Sequence, residues 1–261
     1  MASTLTTLAA FVQRITNGNY WATYPIWQER VTAPTNNGFG TVEIGIKATD
    51  MLAFPALPTG VTAFIPTGLT FIPSTGIGSF IFGRLTNLGT HNFATNTFTD
   101  GSVMPTMTEG GTSRIVSSMV IAEVTTGFSA AASTFSFTYK DQDGATPNTS
   151  TTLSVSASIA IGSCAICRLA SGDYGVQDIS ACTNTGTPTG IMKFWGIEPL
   201  CAGSFYNGGA GGVFPFNANL IGKDLSVLRC GAADQLGGFI FKGSATATSA
   251  QVGSLFVVGD N

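Results

Sequence analysis

The chain has 261 residues, a formal net charge of −3 and 44% hydrophobic residues, but only 10% charged residues and a single histidine, His91. Its eleven basic residues are scattered, which excludes a sequence-independent nucleic-acid binder, and no apolar run is long enough to span a bilayer. The scarcity of proton-transfer groups argues against catalysis, while the length suffices for one large β domain or two smaller ones with a sizeable core.

The N-terminus reads as a helix. Ser3 or Thr4 can cap it, Leu5, Leu8, Phe11, Val12 and Ile15 recur at three- and four-residue spacing, and Asn17-Gly18 can close it. Its apolar stripe fits either the body of its own domain or a neighbouring subunit. Tyr20, Trp21, Tyr24 and Trp27 follow, as an anchored arm or the first edge of the core, with carbohydrate stacking as an alternative use. Thr41 to Ala48 then alternates, with Val42, Ile44 and Ile46 on one face of a strand. Pro55, Pro58, Pro66 and Pro73 punctuate a stretch that contains Val61 to Ile65 and Gly68 to Ile72. Proline at that density predicts edge strands or extended arms, not central strands.

Further strands are predicted at Ser79 to Leu85, Ser113 to Thr125, Thr134 to Tyr139, Thr151 to Ile161, Ala165 to Leu169 and Gly175 to Ala181. Gly190 to Gly196, Leu225 to Cys230, Gly237 to Lys242 and Ser254 to Val258 complete the series. Turn residues separate them in the rhythm of a β-sandwich or barrel. The expected fold is mainly β: an antiparallel β-sandwich or jelly-roll-like body, as one unit or two β subdomains, preceded by a short N-terminal helix and extended arm. Residues 1–40 are assigned to the helix and aromatic arm and 41–261 to the body, with a candidate subdivision at 100–112. A second composition shift lies at Tyr206 to Val213, and no repeat of fixed period is found.

Candidate chemistry is sparse. Cys164-Ala165-Ile166-Cys167 is a C-x-x-C, but zinc needs four ligands, and Cys182, Cys201, Cys230 and His91 are isolated in sequence. Redox use of such a pair needs a helix N-terminus in a βαβ setting, so buried inert thiols that alternate along a strand, or sit at a bend, are expected. Asp141-Gln142-Asp143-Gly144 is similar to the start of an EF-hand loop, yet Ala145 and Thr152 stand where further ligands belong, which favours a plain turn. Gly208, Gly209, Gly211 and Gly212 miss the dinucleotide pattern because Phe214 occupies the third glycine position; tight turns or close subunit contacts suit them better. Thr90-His91-Asn92 reads as a polar loop with a surface histidine. No pair of carboxylates is nominated for glycoside hydrolysis. The expectation is therefore a non-enzyme with no catalytic, cofactor-binding or metal residue and no cofactor.

A soluble surface is typically about 25–35% charged, so this chain must expose Ser, Thr, Asn, Gly or apolar groups, which suits burial against copies or partners. A secreted hydroxyl-rich β protein is the alternative. MASTLTTLAAFVQR has no basic n-region and no compact apolar region, which predicts no signal peptide, so Asn148-Thr149-Ser150 is not read as a glycan acceptor. The five cysteines are odd in number and all lie after residue 163, which fits reduced thiols made in a cytosol.

Two stretches carry a resemblance. Phe137-Thr138-Tyr139-Lys140-Asp141-Gln142-Asp143-Gly144 precedes a Thr/Ser-rich strand, and Leu169-Ala170-Ser171-Gly172-Asp173-Tyr174-Gly175-Val176-Gln177-Asp178-Ile179 follows it. Together they resemble segments in structural proteins of tailed bacteriophages, where a turn of the first kind joins two strands and an L-x-x-G-D-x-G-V stretch comes later. The resemblance covers residues 134–181, under a fifth of the chain. It implies a virion component, such as a head decoration protein, a minor capsid protein, or a tail or connector subunit, and it hands over no catalytic residue. The expected partners are copies of itself, as a homotrimer or other cyclic oligomer, and virion proteins such as the major capsid protein, with neither nucleic acid nor membrane. The expected location is the virion, after synthesis in the host cytoplasm without secretion. A carbohydrate- or receptor-binding β module of a phage tail or fibre is the alternative, and a hydrolase on a β scaffold is a third reading.

Overall fold

The computed structural model describes the backbone of residues 20–27, 42–46, 63–72, 77–104, 106–109, 112–115, 118–129, 131–206, 212–215, 230–231, 236–242 and 252–260, with side chains over 81–104, 118–129, 131–199, Ala202 and Phe239. The expected helix at Ser3 to Thr16 lies outside these residues, as does most of the glycine cluster.

Among the described residues the chain forms strands and no helix. In order they are β1 (Tyr20–Trp27), β2 (Val42–Ile46), β3 (Ala63–Ile72), β4 (Ile77–Asn92), β5 (Thr97–Asp100), β6 (Thr106–Glu109), β7 (Thr112–Ile115), β8 (Met119–Thr126) and β9 (Ser133–Asp141). There follow β10 (Asn148–Thr149), β11 (Leu153–Val155), β12 (Cys164–Cys167), β13 (Val176–Asn184), β14 (Ile191–Tyr206), β15 (Gly212–Pro215), β16 (Cys230–Gly231), β17 (Leu236–Lys242) and β18 (Val252–Asp260). A seven-stranded sheet has the order β12-β8-β14-β4-β17-β2, with β5 added to β4. A four-stranded sheet is built on β9, with β10 and β11 to one side and β13 paired to it as well. A five-stranded sheet runs β1-β18-β3-β15 with β16 on β3, and β6-β7 is a separate hairpin. All pairings are antiparallel, as a mainly β sandwich requires.

The core follows from side-chain alternation. Along β9, Phe135, Phe137 and Tyr139 point inward while Ser136, Thr138 and Lys140 are more exposed. They face Val120, Ala122 and Val124 of β8 and Met192 and Phe194 of β14, so the four-stranded sheet packs on the seven-stranded one. Phe194 sits among Phe98, Phe135 and Phe137 at ring-centroid distances of 6.1, 5.9 and 5.6 Å. Each such buried ring contributes roughly 1.5–3 kcal/mol from removal of its surface from water. The other face of β8 and β14 is buried too. Ile121, Trp195 and Ile197 join Leu85, Cys164 and Phe239 in a second cluster. The large sheet curls round it until its two end strands, β12 and β2, approach each other. Burial on both faces explains why β8 and β14 read as near-continuous apolar runs.

Several expected strands change length. β4 and β14 reach 16 residues each, well beyond Ser79 to Leu85 and Gly190 to Gly196, because they pair with each other along their whole length. Ser113 to Thr125 divides into β7 and β8, and residues 100–112 hold an open segment followed by half of the β6-β7 hairpin. Thr151 to Ile161 yields only β11; Ser158, at φ 59°, turns the chain away. Tyr20 to Trp27 forms an edge strand that pairs with β18.

The proline-rich stretch departs from expectation most clearly. β3 is central, with β18 on one side and β15 and β16 on the other. Pro66 is tolerated because the ladder is interrupted there: Thr67 bulges out opposite the Phe256–Val257 step, and Pro66 lies between the parts of β3 that pair with β16 and β15. Pro199 in β14 follows the same rule, beside a bulge at Leu200 and past the last residue paired with β8.

Candidate functional site

The two segments that resemble phage structural proteins meet in space. β9 leaves the sandwich at Asp141 and turns back at once. Asp141 Oδ1 accepts hydrogen bonds from the Asp143 and Ala145 N–H groups, both at 2.9 Å, and its Oδ2 accepts one from Asn148 Nδ2 at 2.9 Å. Gly144 completes the turn at φ 86°, in the left-handed region that glycine adopts without strain. Both carboxylate oxygens are engaged inside the turn, which has the geometry of the Asp/Gly turn expected from the sequence.

The next residue carries the contact outward. Gln142 Oε1 accepts from the Tyr174 and Gly175 N–H groups at 3.1 and 3.3 Å, while Gln177 Nε2 donates to the Gln142 carbonyl at 3.3 Å. Beneath it, the Tyr139 hydroxyl donates to Asp173 Oδ2 at 2.5 Å and accepts from the Ala170 N–H at 2.8 Å. Ser118 adds a third tie: its Oγ accepts from the Val176 N–H at 2.9 Å and donates to the Val176 carbonyl at 3.1 Å. Burial, then the bond to Asp173, pushes the Tyr139 phenol up to about 12. The clasp thus joins residues 139–142 to 170–177, segments some thirty residues apart in sequence. The Met104 N–H bonds to the Gln177 carbonyl at 2.8 Å, which brings the root of the β6-β7 hairpin to the same end. Val103 and Tyr174, more than half exposed, lie in these segments.

The other candidates fall into structural roles. Cys164 and Cys167 lie three residues apart on β12 and so point to opposite faces; Cys164 enters the Trp195 cluster and Cys167 the phenylalanine-rich core. Cys182 shares that core with Cys167, and burial first, then its neighbour, drives its thiol far above the ordinary range. The C-x-x-C is therefore an alternating strand pair. His91 corrects the surface-loop expectation: it is fully buried in β4, which continues through it because β14 and β5 pair on either side. Trp195 is 2% exposed, with Nε1–H on Glu123 Oε2 at 2.8 Å and the Lys193 ammonium 4.1 Å from its ring centre, so its ring is closed to sugars. Trp21 and Trp27 have no described side chains.

Sequence reasoning missed two buried carboxylates. Glu123 sits in the second core, and Glu198 holds Arg84 in a two-pronged ion pair, Arg84 Nε to Glu198 Oε2 at 2.7 Å and Arg84 Nη2 to Oε1. The signal was present: a glutamate inside the apolar runs MVIAEV or KFWGIE predicts a buried partner, because an unpaired buried charge is costly. Among the described residues no three His, Cys, Asp or Glu groups gather where they could hold a metal.

No protein-family model matches the chain, and no curated protein matches it. Among solved structures it is similar to the T=1 particles derived from infectious bursal virus, at 8% identity and a TM-score of 0.22 over 93% of this chain and 79% of that one. The VP2 subviral particle of infectious bursal disease virus gives 9% identity and a TM-score of 0.21 over 93% and 81%. The Gx strain of that virus gives 10% and 0.18 over 93% and 80%. These TM-scores fall short of a shared fold, so the described residues are classed from their own geometry, as an antiparallel β-sandwich.

Proposed function

We propose that the chain is a structural component of a bacteriophage particle, a capsid decoration or minor capsid protein that acts by binding copies of itself and the major capsid protein. The observation that supports this reading is the clasp: the two segments that carry the phage-protein resemblance form one hydrogen-bonded unit at one end of the sandwich. The proposed role is non-catalytic. It agrees with the internal engagement of Asp141, Tyr139, Trp195 and the buried thiols. A surface with few charges has little to desolvate when buried between subunits. The helix predicted at Ser3 to Thr16 and the edge strand β1 are the proposed contacts, arranged about a cyclic axis as a trimer, with avidity from repetition over a shell.

Light scattering on the purified full chain tests the assembly step, and sedimentation with particles stripped of the protein tests the docking step. A trimer or other closed ring that saturates a fixed number of sites is the expected outcome. A chain that is monomeric throughout and stays in the supernatant overturns the proposal. The exposed Tyr174 beside Asp173 gives the carbohydrate-binding alternative a foothold among the described residues, and a glycan array without binders removes it.

A further inference from the structure

His91 is the only histidine in the chain. Its Nε2 lies 2.7 Å from Asn184 Oδ1. Asn184 is a hub: its Nδ2 donates to the Gly186 carbonyl at 2.7 Å and the Phe93 carbonyl at 3.3 Å, and its backbone N–H donates to Asn96 Oδ1 at 3.1 Å. With both amide hydrogens placed on carbonyls, Oδ1 is the acceptor and the imidazole carries its hydrogen on Nε2. Nδ1 is then the bare nitrogen, buried and outside hydrogen-bond geometry, with the Thr97 backbone as a polar neighbour of the ring. The ring stands edge-on to Phe93 at 4.8 Å, and Phe93 packs on Phe128 at 4.6 Å. The Phe93 N–H in turn bonds to the Gly190 carbonyl at 3.0 Å. One side chain thus ties together the turn at 93–96, the end of β13 and the loop at 185–190.

Among the described residues no charged group faces the ring from the elements around it. On β14 and β8, Lys193 and Glu123 stand opposite each other; Lys193 also pairs with Thr90 and so lies on the other face of the sheet. On β5, Phe98 is opposite His91, and Asp100 is exposed at the strand's end. On β13 the nearest charge is Asp178, and neither 93–96 nor 185–190 contains one.

We propose that His91 is an acid-sensitive latch, which holds the 93–96 turn against the 184–190 segment when neutral and releases that end of the sandwich when protonated. A proton on Nδ1 creates a buried cation that the Asn184 amide and the Thr97 backbone meet only in part, and no carboxylate among the described residues faces it. Opening is the cheapest relief, because Ala94, Thr95, Asn96 and Thr97 are already exposed. Burial lowers the proton affinity of the ring, and the Asn184 bond and the Thr97 backbone offset this only in part. The folded value thus lies below the ordinary one of about 6.5, so stability held above that pH is lost as pH falls through it toward the folded value.

Amide hydrogen exchange on the full chain at pH 7.5 and 5.0, corrected for intrinsic rates, tests the latch. Peptides covering 92–98 and 184–190 should open more at pH 5.0, by up to about 30-fold, the proton loading of a free imidazole at that pH. The His91→Gln variant keeps an amide donor for Asn184 but takes up no proton, and its exchange there should not respond to acid. An equal acid response in His91→Gln, or none in the wild type, overturns the proposal. The single imidazole resonance also reports the ring directly in the unmutated chain. A titration at or above 6.5, or an exchange rise that does not follow it, overturns the latch even if the variant fails to fold.

Discussion

Tyr139 shows how one polar atom joins two distant segments. Its hydroxyl donates a hydrogen bond to Asp173 and accepts one from the Ala170 N–H, at the edge of the core. Tyr139→Phe leaves both partners unmet and should cost about 1–3 kcal/mol in urea denaturation. The phenol, near 10 in the unfolded chain, is pushed up to about 12 when folded, so its neutral form is favoured. Its contribution is complete below pH 10 and is lost as pH rises toward 12; the urea midpoint over that window should fall in the wild type and lose this component in Tyr139→Phe. The turn residues Asp141 and Gly144 were legible in sequence because turn chemistry is local. Gln142 was not, since its bonds to Tyr174 and Gly175 depend on which loop lies opposite.

Strands divide by whether their partner is predictable. β2, β9 and β13 were found by alternation or apolar content, which needs only a core on one side. Thr151 to Ile161 has equal strand propensity but finds pairing only at Leu153–Val155, on β9, because pairing is decided by neighbours and not by the segment. Pro66 argued against a central strand; the bulge at Thr67 made one tolerable, and no local signal announces a bulge. β12 supports a direct check. Cys164 and Cys167 on its two faces, and Cys182 across the core, are all buried. Iodoacetamide followed by peptide mapping should leave these three unmodified in the native protein and label them fully in denaturant.

At the scale of the molecule, pairing of β1 with β18 brings residues 20–27 beside 252–260. This changes where an arm can be cut. Removal of residues 1–27 would take away an edge strand, whereas removal of residues 1–19 spares β1. The shorter truncation should leave the thermal transition of the body within a few degrees of the full chain while reducing particle binding at least tenfold, as measured by sedimentation. Full occupancy by the truncated protein would place the docking surface elsewhere.

Composition and periodicity alone determined the class of the fold, since alternation, turn residues and the lack of helical stripes after residue 40 leave only antiparallel sheets to bury the apolar half of the chain. They also raised the expectation that Cys164 and Cys167 alternate along a strand or sit at a bend, and β12 shows the alternation. Tertiary structure decided which strands lie side by side, that β8 and β14 are buried on both faces, and that His91, Glu123 and Arg84–Glu198 lie inside. The reason is that side-chain direction along a strand is set locally, whereas the strand opposite, and with it the burial of every polar group, is set by contacts between residues far apart in the chain.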